Sequence, residues 1–222
     1  MSVSKKAILA ELSRLYPNPK PELNFTNPYE TLIATILSAQ CTDKQVNKVT
    51  PAVFAAYPDA FAMAAATPEE LYPLVKSCGF KTKATNIVMA CRELAAKHGG
   101  QVPDTLEALT KLPGVGRKTA NVVMANAFQI PAIAVDTHVF RVSNRLGLAV
   151  AKTVEETERQ LQKAIPKADW RDAHHWMILH GRRVCKAQRP DCESCTLSGL
   201  CKHYKSTKKA TSKTAAITAK EA

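Results

Sequence analysis

The sequence predicts an all-α protein, and three observations lead there. Capping pairs, in which Asn or Thr is followed three residues later by Glu or Gln, recur ahead of apolar stretches. Apolar residues inside those stretches are spaced by three and four, as one face of a helix requires, and no stretch alternates convincingly as a strand does. Glycines punctuate the pattern at Gly79 and at Gly99-Gly100, where a residue without Cβ can adopt the left-handed conformation that closes a helix.

Taken in order, Ile8, Leu12 and Leu15 mark an N-terminal helix. Asn27 with Glu30 opens a second, with Pro28 at the first helical position, where its missing N–H costs nothing. Thr42 with Gln45 opens a third, and Thr67 with Glu70, again with a proline next, a further one. Ile87, Met89, Cys91 and Leu94 with their neighbours read as a longer helix that ends at Gly99-Gly100. A short amphipathic helix precedes Leu112, and another opens after Gly116. The apolar run from Ile130 to Val135 reads as a buried connector rather than a strand, and Asp136 can cap the helix after it. Thr153 with Glu156 starts the next helix. Beyond Tyr204 the Lys-, Thr-, Ser- and Ala-rich sequence holds one large apolar residue, Ile217; residues 205–222 therefore read as a basic, disordered tail.

The formal charge of +12, from 31 Lys and Arg against 19 Asp and Glu, points to a polyanionic partner. Six lysines and one glutamate lie between Lys202 and Ala222, which leaves +7 for residues 1–201, so the body itself is basic. No apolar run approaches the roughly 20 residues that span a bilayer, and Met1 to Leu12 lacks the long apolar segment of a secretory signal. The expectation is a cytoplasmic protein without a membrane partner, associated with the nucleoid if bacterial. In that compartment disulfides are disfavoured. Four of the seven cysteines crowd into Cys185, Cys192, Cys195 and Cys201 with C-x6-C-x2-C-x5-C spacing, which makes metal ligation their leading explanation. Four thiolates on a short loop can hold tetrahedral zinc or a cubane iron-sulfur cluster, although zinc sites more often show two C-x2-C pairs.

Leu112-Pro113-Gly114-Val115-Gly116-Arg117-Lys118 places two glycines in a turn between helices. Glycines let a backbone approach a phosphate closely, and the amides at the following helix start bind an anion without reading bases. Lys118 stands at that helix start. By itself each of these residues has a plain alternative: a tight turn, a solvated lysine, a capping aspartate.

Four segments together carry a specific resemblance. They are Leu37-Ser38-Ala39-Gln40-Cys41-Thr42-Asp43, the hairpin through Asn121, Val135 to Val142, and His174-His175-Trp176 through His180-Gly181-Arg182 into the cysteine loop. Across residues 5–204 the chain resembles the endonuclease III family of the helix-hairpin-helix DNA glycosylase superfamily. The resemblance implies a two-domain helical fold with an iron-sulfur cluster loop: a central domain over residues 21–131, and a cluster domain from residues 1–20 with 132–204, the cleft between them holding Lys118 and Asp136. It implies a monomeric DNA N-glycosylase and abasic-site lyase that removes oxidised pyrimidines from damaged double-stranded DNA. Lys118 would be the nucleophile, Asp136 the carboxylate that stabilises developing positive charge, and Cys185, Cys192, Cys195 and Cys201 the ligands of a 4Fe-4S cluster.

Contacts to DNA are implied for Leu112, Gly114, Val115, Gly116 and Arg117 of the hairpin, and Arg189 of the cysteine loop is the better phosphate contact there. Gln40 matches the glutamine that fills the vacated base stack. The wedge falls at Phe80, where relatives commonly carry leucine; a core position is the alternative for this side chain. The rival functions are a monofunctional glycosylase of the same superfamily, which uses activated water and lacks the hairpin lysine, and a non-catalytic DNA-binding relative. A lyase that prefers alkylated purines is a minor third. His138, His174, His175 and His180 read as structural, and Cys41, Cys78 and Cys91 as small buried groups on helical patterns.

Overall fold

The structure, a computed structural model, describes residues 3–208, and among these there is no strand. The helices are α1 (Val3–Leu15), α2 (Pro28–Leu37), α3 (Asp43–Ala56), α4 (Ala60–Ala65), α5 (Pro68–Val75), α6 (Lys81–His98), α7 (Leu106–Thr110), α8 (Arg117–Ala127), α9 (Thr137–Leu146), α10 (Val154–Ala164) and α11 (Trp170–Arg183). Short 3-10 turns cover Lys76–Cys78 and Lys167–Asp169. The chain divides into two compact units, Lys20–Ala132 and the described parts of Met1–Pro19 with Ile133–Ala222.

In the Lys20–Ala132 unit, α2 is the central helix. Its Leu32, Ile33 and Leu37 are buried with Ala120 and Val123 of α8 and Ile87 and Leu94 of α6. Removing such side chains from water is the main stabilising contribution, about 1.5–3 kcal/mol for each large aliphatic. The second unit buries Ile8 and Leu12 of α1 with Val139, Val142 and Leu146 of α9, Leu161 of α10, and Trp176 and Met177 of α11. Ile133 to Val135 are buried without forming a strand, as the connector reading expects.

All four capping residues sit at helix starts, each side chain accepting from the amide three residues on. Only at Thr67 is the exchange reciprocal. Glu30 reaches one residue further back to Thr26 N, Gln45 turns to Ser77, and Glu156 pairs with Arg159, since each finds a partner outside its own cap. Along α6 the buried face is Ala84, Ile87, Val88, Cys91 and Leu94, and Met89 is 40% exposed because it lies off that stripe. Gly99 closes α6 in the left-handed conformation, whereas Gly79, at φ 120° and ψ −143°, occupies a region essentially reserved for glycine. Cys78 and Cys91 are buried, but Cys41 stands half-buried in the turn between α2 and α3 rather than on a helix. Of the tail expected from residue 205, residues 205–208 continue a helical segment that begins at 202, and 209–222 lie outside the described residues.

Candidate active site and cysteine loop

The hairpin joins α7 to α8. Leu112 and Val115 are buried and anchor it, and their amides donate within the turn, Leu112 N to Leu109 O and Val115 N to Leu112 O, both at 3.1 Å. Gly114 and Gly116 have different physical causes. At φ 76° Gly114 takes the left-handed conformation, and a Cβ there would stand 2.8 Å from Asn86 Cβ of α6. Gly116 is the N-cap of α8 at φ −84° and ψ 174°, and a Cβ there would meet nothing within 4 Å. Packing therefore does not demand a glycine there. No side chain caps α8 and its first turn carries no acidic residue, which leaves the positive end of the helix facing outward. Arg117 and Lys118 open α8 and both are exposed.

Asp136 caps α9: its Oδ1 accepts from Val139 N at 2.7 Å, and the side chain is half-buried. The capping alternative is thus a fact, yet it occupies one carboxylate oxygen and fixes the direction of the other. His138 has its Nδ1 3.0 Å from Arg141 Nη2, the structural hydrogen bond expected of it. His174 and His175 are buried with ring centroids 4.1 Å apart, and burial pushes the His175 imidazole down to about 4. His180 is buried too, with Nδ1 3.1 Å from the Tyr16 hydroxyl, and burial likewise pushes it down to about 4.

Gln40 follows α2 in an exposed turn with φ 53°, an unusual conformation for a residue with a side chain. Phe80 is 73% exposed at the N-cap of α6, which removes the core alternative for it. A large exposed aromatic beside a glycine turn is the feature that a stack-filling side chain needs.

Cys185, Cys192, Cys195 and Cys201 line one cavity together with Arg145, Leu146, His180, Val184 and Pro190. Burial first, then the neighbouring thiols, push the Cys192 thiol up, and Cys195 is raised by burial and by the same neighbours. Two arginines of α9, which the sequence reading did not single out, organise this loop. Arg141 donates to the carbonyls of Cys185 and Gly181. Arg145 donates to Lys186 O at 2.7 Å and Ala187 O at 3.0 Å, and its Nη1 stands 3.4 Å from Cys185 Sγ. Their signal was the i, i+4 spacing of two arginines on one helix, which has no meaning until the loop is seen across from it. Among the described residues no three Cys, His, Asp or Glu converge as ligands of a single ion. Convergence on one point is the demand of a mononuclear site; a cubane takes one thiolate at each iron and requires only that four line one cavity. Arg189, at φ 48°, is exposed on the same loop.

Residues 33–167 match the HhH-GPD superfamily of base-excision DNA repair proteins, and the chain belongs to that superfamily. Within it the chain stands with the endonuclease III proteins. It is 50% identical over 196 residues to endonuclease III of Synechocystis, covering 87% of this chain and 90% of that one. To endonuclease III of Escherichia coli K12 it is 47% identical over 197 residues, covering 88% and 93%. A solved structure of a trapped endonuclease III–DNA covalent intermediate superimposes with a TM-score of 0.87 at 47% identity, covering 93% of this chain and 99% of that one. Among the described residues no helix is long and apolar enough to cross a membrane.

Proposed function

We propose that this chain removes oxidised pyrimidines from duplex DNA and then cuts the strand at the resulting abasic site, with Lys118 as nucleophile and Asp136 as its charge-stabilising carboxylate. The observation that carries the reading is the position of Lys118, exposed in the first turn of α8 directly after the uncapped, phosphate-accessible hairpin. The covalent endonuclease III–DNA intermediate of the similar solved structure supports attack by a nucleophile of the protein itself.

The chemistry follows from these groups. The neutral amine of Lys118 attacks the sugar carbon that bears the damaged base; the carbon–base bond breaks and the base leaves with the electron pair. Positive charge that develops on the sugar is stabilised by the Asp136 carboxylate, which also assists proton transfers. The bond from the attacked carbon to the ring oxygen then breaks, the oxygen takes up a proton, and the opened sugar is held as a Schiff base at Lys118 that acidifies the adjacent sugar carbon. Loss of its proton expels the 3′ phosphate, and hydrolysis of the imine frees the enzyme. Backbone amides of Gly114 and Gly116, together with Arg117, hold phosphates and position the duplex without reading sequence.

Cys185, Cys192, Cys195 and Cys201 fit a 4Fe-4S cluster by donor type, shared cavity and the Arg145 donor beside Cys185. Bound there, the cluster would cross-link the loop and present Lys186 and Arg189 to the phosphate backbone. A monomer acting in the cytoplasm, on the nucleoid in a bacterial cell, completes the reading.

Borohydride trapping on a duplex with one thymine glycol tests it, alongside an undamaged duplex and Lys118→Ala. A covalent adduct that requires both the lesion and Lys118 is the expected outcome. Base release without an adduct would overturn the nucleophile assignment in favour of activated water, and native nicking by Lys118→Ala would do the same.

A further inference from the structure

Two turns carry the side chains assigned to the vacated stack: residues 38–42 with Gln40, and the 3-10 turn Lys76–Cys78 running into Gly79 and Phe80. Both lie between α-helices, and each passes through a positive-φ residue, Gln40 at 53° and Gly79 at 120°. For Gln40, which carries a side chain, such a conformation persists only where surrounding contacts over-determine it.

Lys83, in the first turn of α6, supplies those contacts. Its half-buried side chain donates from Nζ to Leu37 O at 2.8 Å, to Ala39 O at 2.5 Å and to Cys78 O at 2.5 Å. Ala39 directly precedes Gln40, and Cys78 precedes the Gly79-Phe80 pair. A Cβ on Gly79 would lie 3.5 Å from Lys83 Nζ, so the ammonium sits against the second turn as well as between the two. Three carbonyls converging on one point match the three donors of an ammonium, and a planar guanidinium offers no such geometry. Gln45 Nε2 donates to Ser77 Oγ at 2.8 Å and ties the same two segments a second time.

We propose that Lys83 is a positioning residue: it clamps the Gln40 turn to the Phe80 turn and so sets where the two stack-filling side chains stand when a nucleotide is extruded. The proposal rests on the stack-filling reading of Gln40 and Phe80. Lys83 makes no contact with the reacting sugar in this account; it acts through the two turns.

The test compares Lys83→Met with the native protein on two substrates, both carrying an abasic site: a duplex, and a single strand in which there is no stack to fill. Displacement of catalytic geometry by about 1 Å costs on the order of 100-fold, so duplex cleavage is expected to fall roughly 10- to 100-fold. Single-strand cleavage is expected to stay within about twofold of native, which also shows that the variant is folded. Lys83→Arg should restore little, because the guanidinium does not fit three converging carbonyls. Equal losses on both substrates would mean a merely structural lysine, and native duplex cleavage would mean no role; either overturns the proposal. Gln40→Ala separates this from the underlying reading. If that variant loses duplex cleavage and adding Lys83→Met makes it little worse, the two residues act as one unit, as proposed. If Gln40→Ala is fully active on the duplex, the stack-filling reading fails, and a deficit in Lys83→Met then overturns the clamp as its cause.

Discussion

The two hairpin glycines predict opposite phenotypes for the same substitution. Gly114→Ala must place a Cβ at φ 76°, which costs about 1–2 kcal/mol for an L-residue. That Cβ would also stand 2.8 Å from Asn86 Cβ, and forcing such an overlap to relax costs about 1–3 kcal/mol. A loss of roughly 3 kcal/mol corresponds to a melting temperature lower by about 6–12 °C in a chain of this size. Gly116→Ala meets nothing within 4 Å at an ordinary φ of −84°. Restricting the unfolded chain then favours folding by about 0.4–1 kcal/mol, and the poorer N-cap preference of Ala offsets that gain. Its stability should therefore match the native protein within about 1 kcal/mol. In the proposed reading, however, its methyl stands where a phosphate approaches, and losing one charge-assisted hydrogen bond of about 1.5 kcal/mol weakens duplex binding roughly tenfold. Thermal melts and fluorescence-anisotropy titrations at fixed salt measure both quantities. Equal destabilisation by the two variants, or native affinity in Gly116→Ala, would refute the assignment of one glycine to packing and the other to access.

Asp136→Asn should keep α9 capped, since Asn caps as well as Asp, while base release falls by about 100-fold or more; a native single-turnover rate would remove the carboxylate from the chemistry. Cys192→Ser should lose iron and visible absorbance and melt at a lower temperature, because a cluster that cross-links residues 185–201 contributes to folding; unchanged iron content would contradict the ligand set. The His175 imidazole, held at about 4 against an unfolded value of 6.5, is buried neutral, so the unfolded chain binds more protons between those values. Its contribution is complete above pH 6.5 and is lost as pH falls toward 4, by up to about 3 kcal/mol. His175→Leu should therefore flatten the decline of melting temperature between pH 7 and 5, and an unaltered slope would show that this ring is not the titrating group.

Local signals in this chain were readable because their physics is local. A Thr or Asn that accepts a hydrogen bond from the amide three residues on needs no distant partner, so Asn27, Thr42, Thr67 and Thr153 all stand at helix starts. The reciprocal half of each box was less readable, because long side chains such as Gln45 and Glu156 have competing partners that the fold supplies. Four cysteines within 17 residues declare a shared role by proximity in sequence alone. The hairpin glycines were visible as a pair, but which one serves packing depended on Asn86, 28 residues away.

By itself the sequence determined the all-helical class, four helix starts by their capping pairs, the hairpin with Lys118, the cysteine loop and, through four motifs, the family. Those features depend on residue type and short spacing. Tertiary structure alone decided that Phe80 is exposed rather than core, that Arg141 and Arg145 hold the cysteine loop, and that Lys83 joins the turn holding Ala39 to the turn holding Cys78. Each of these depends on which atoms of distant segments come within about 3 Å of each other, the range over which a hydrogen bond acts.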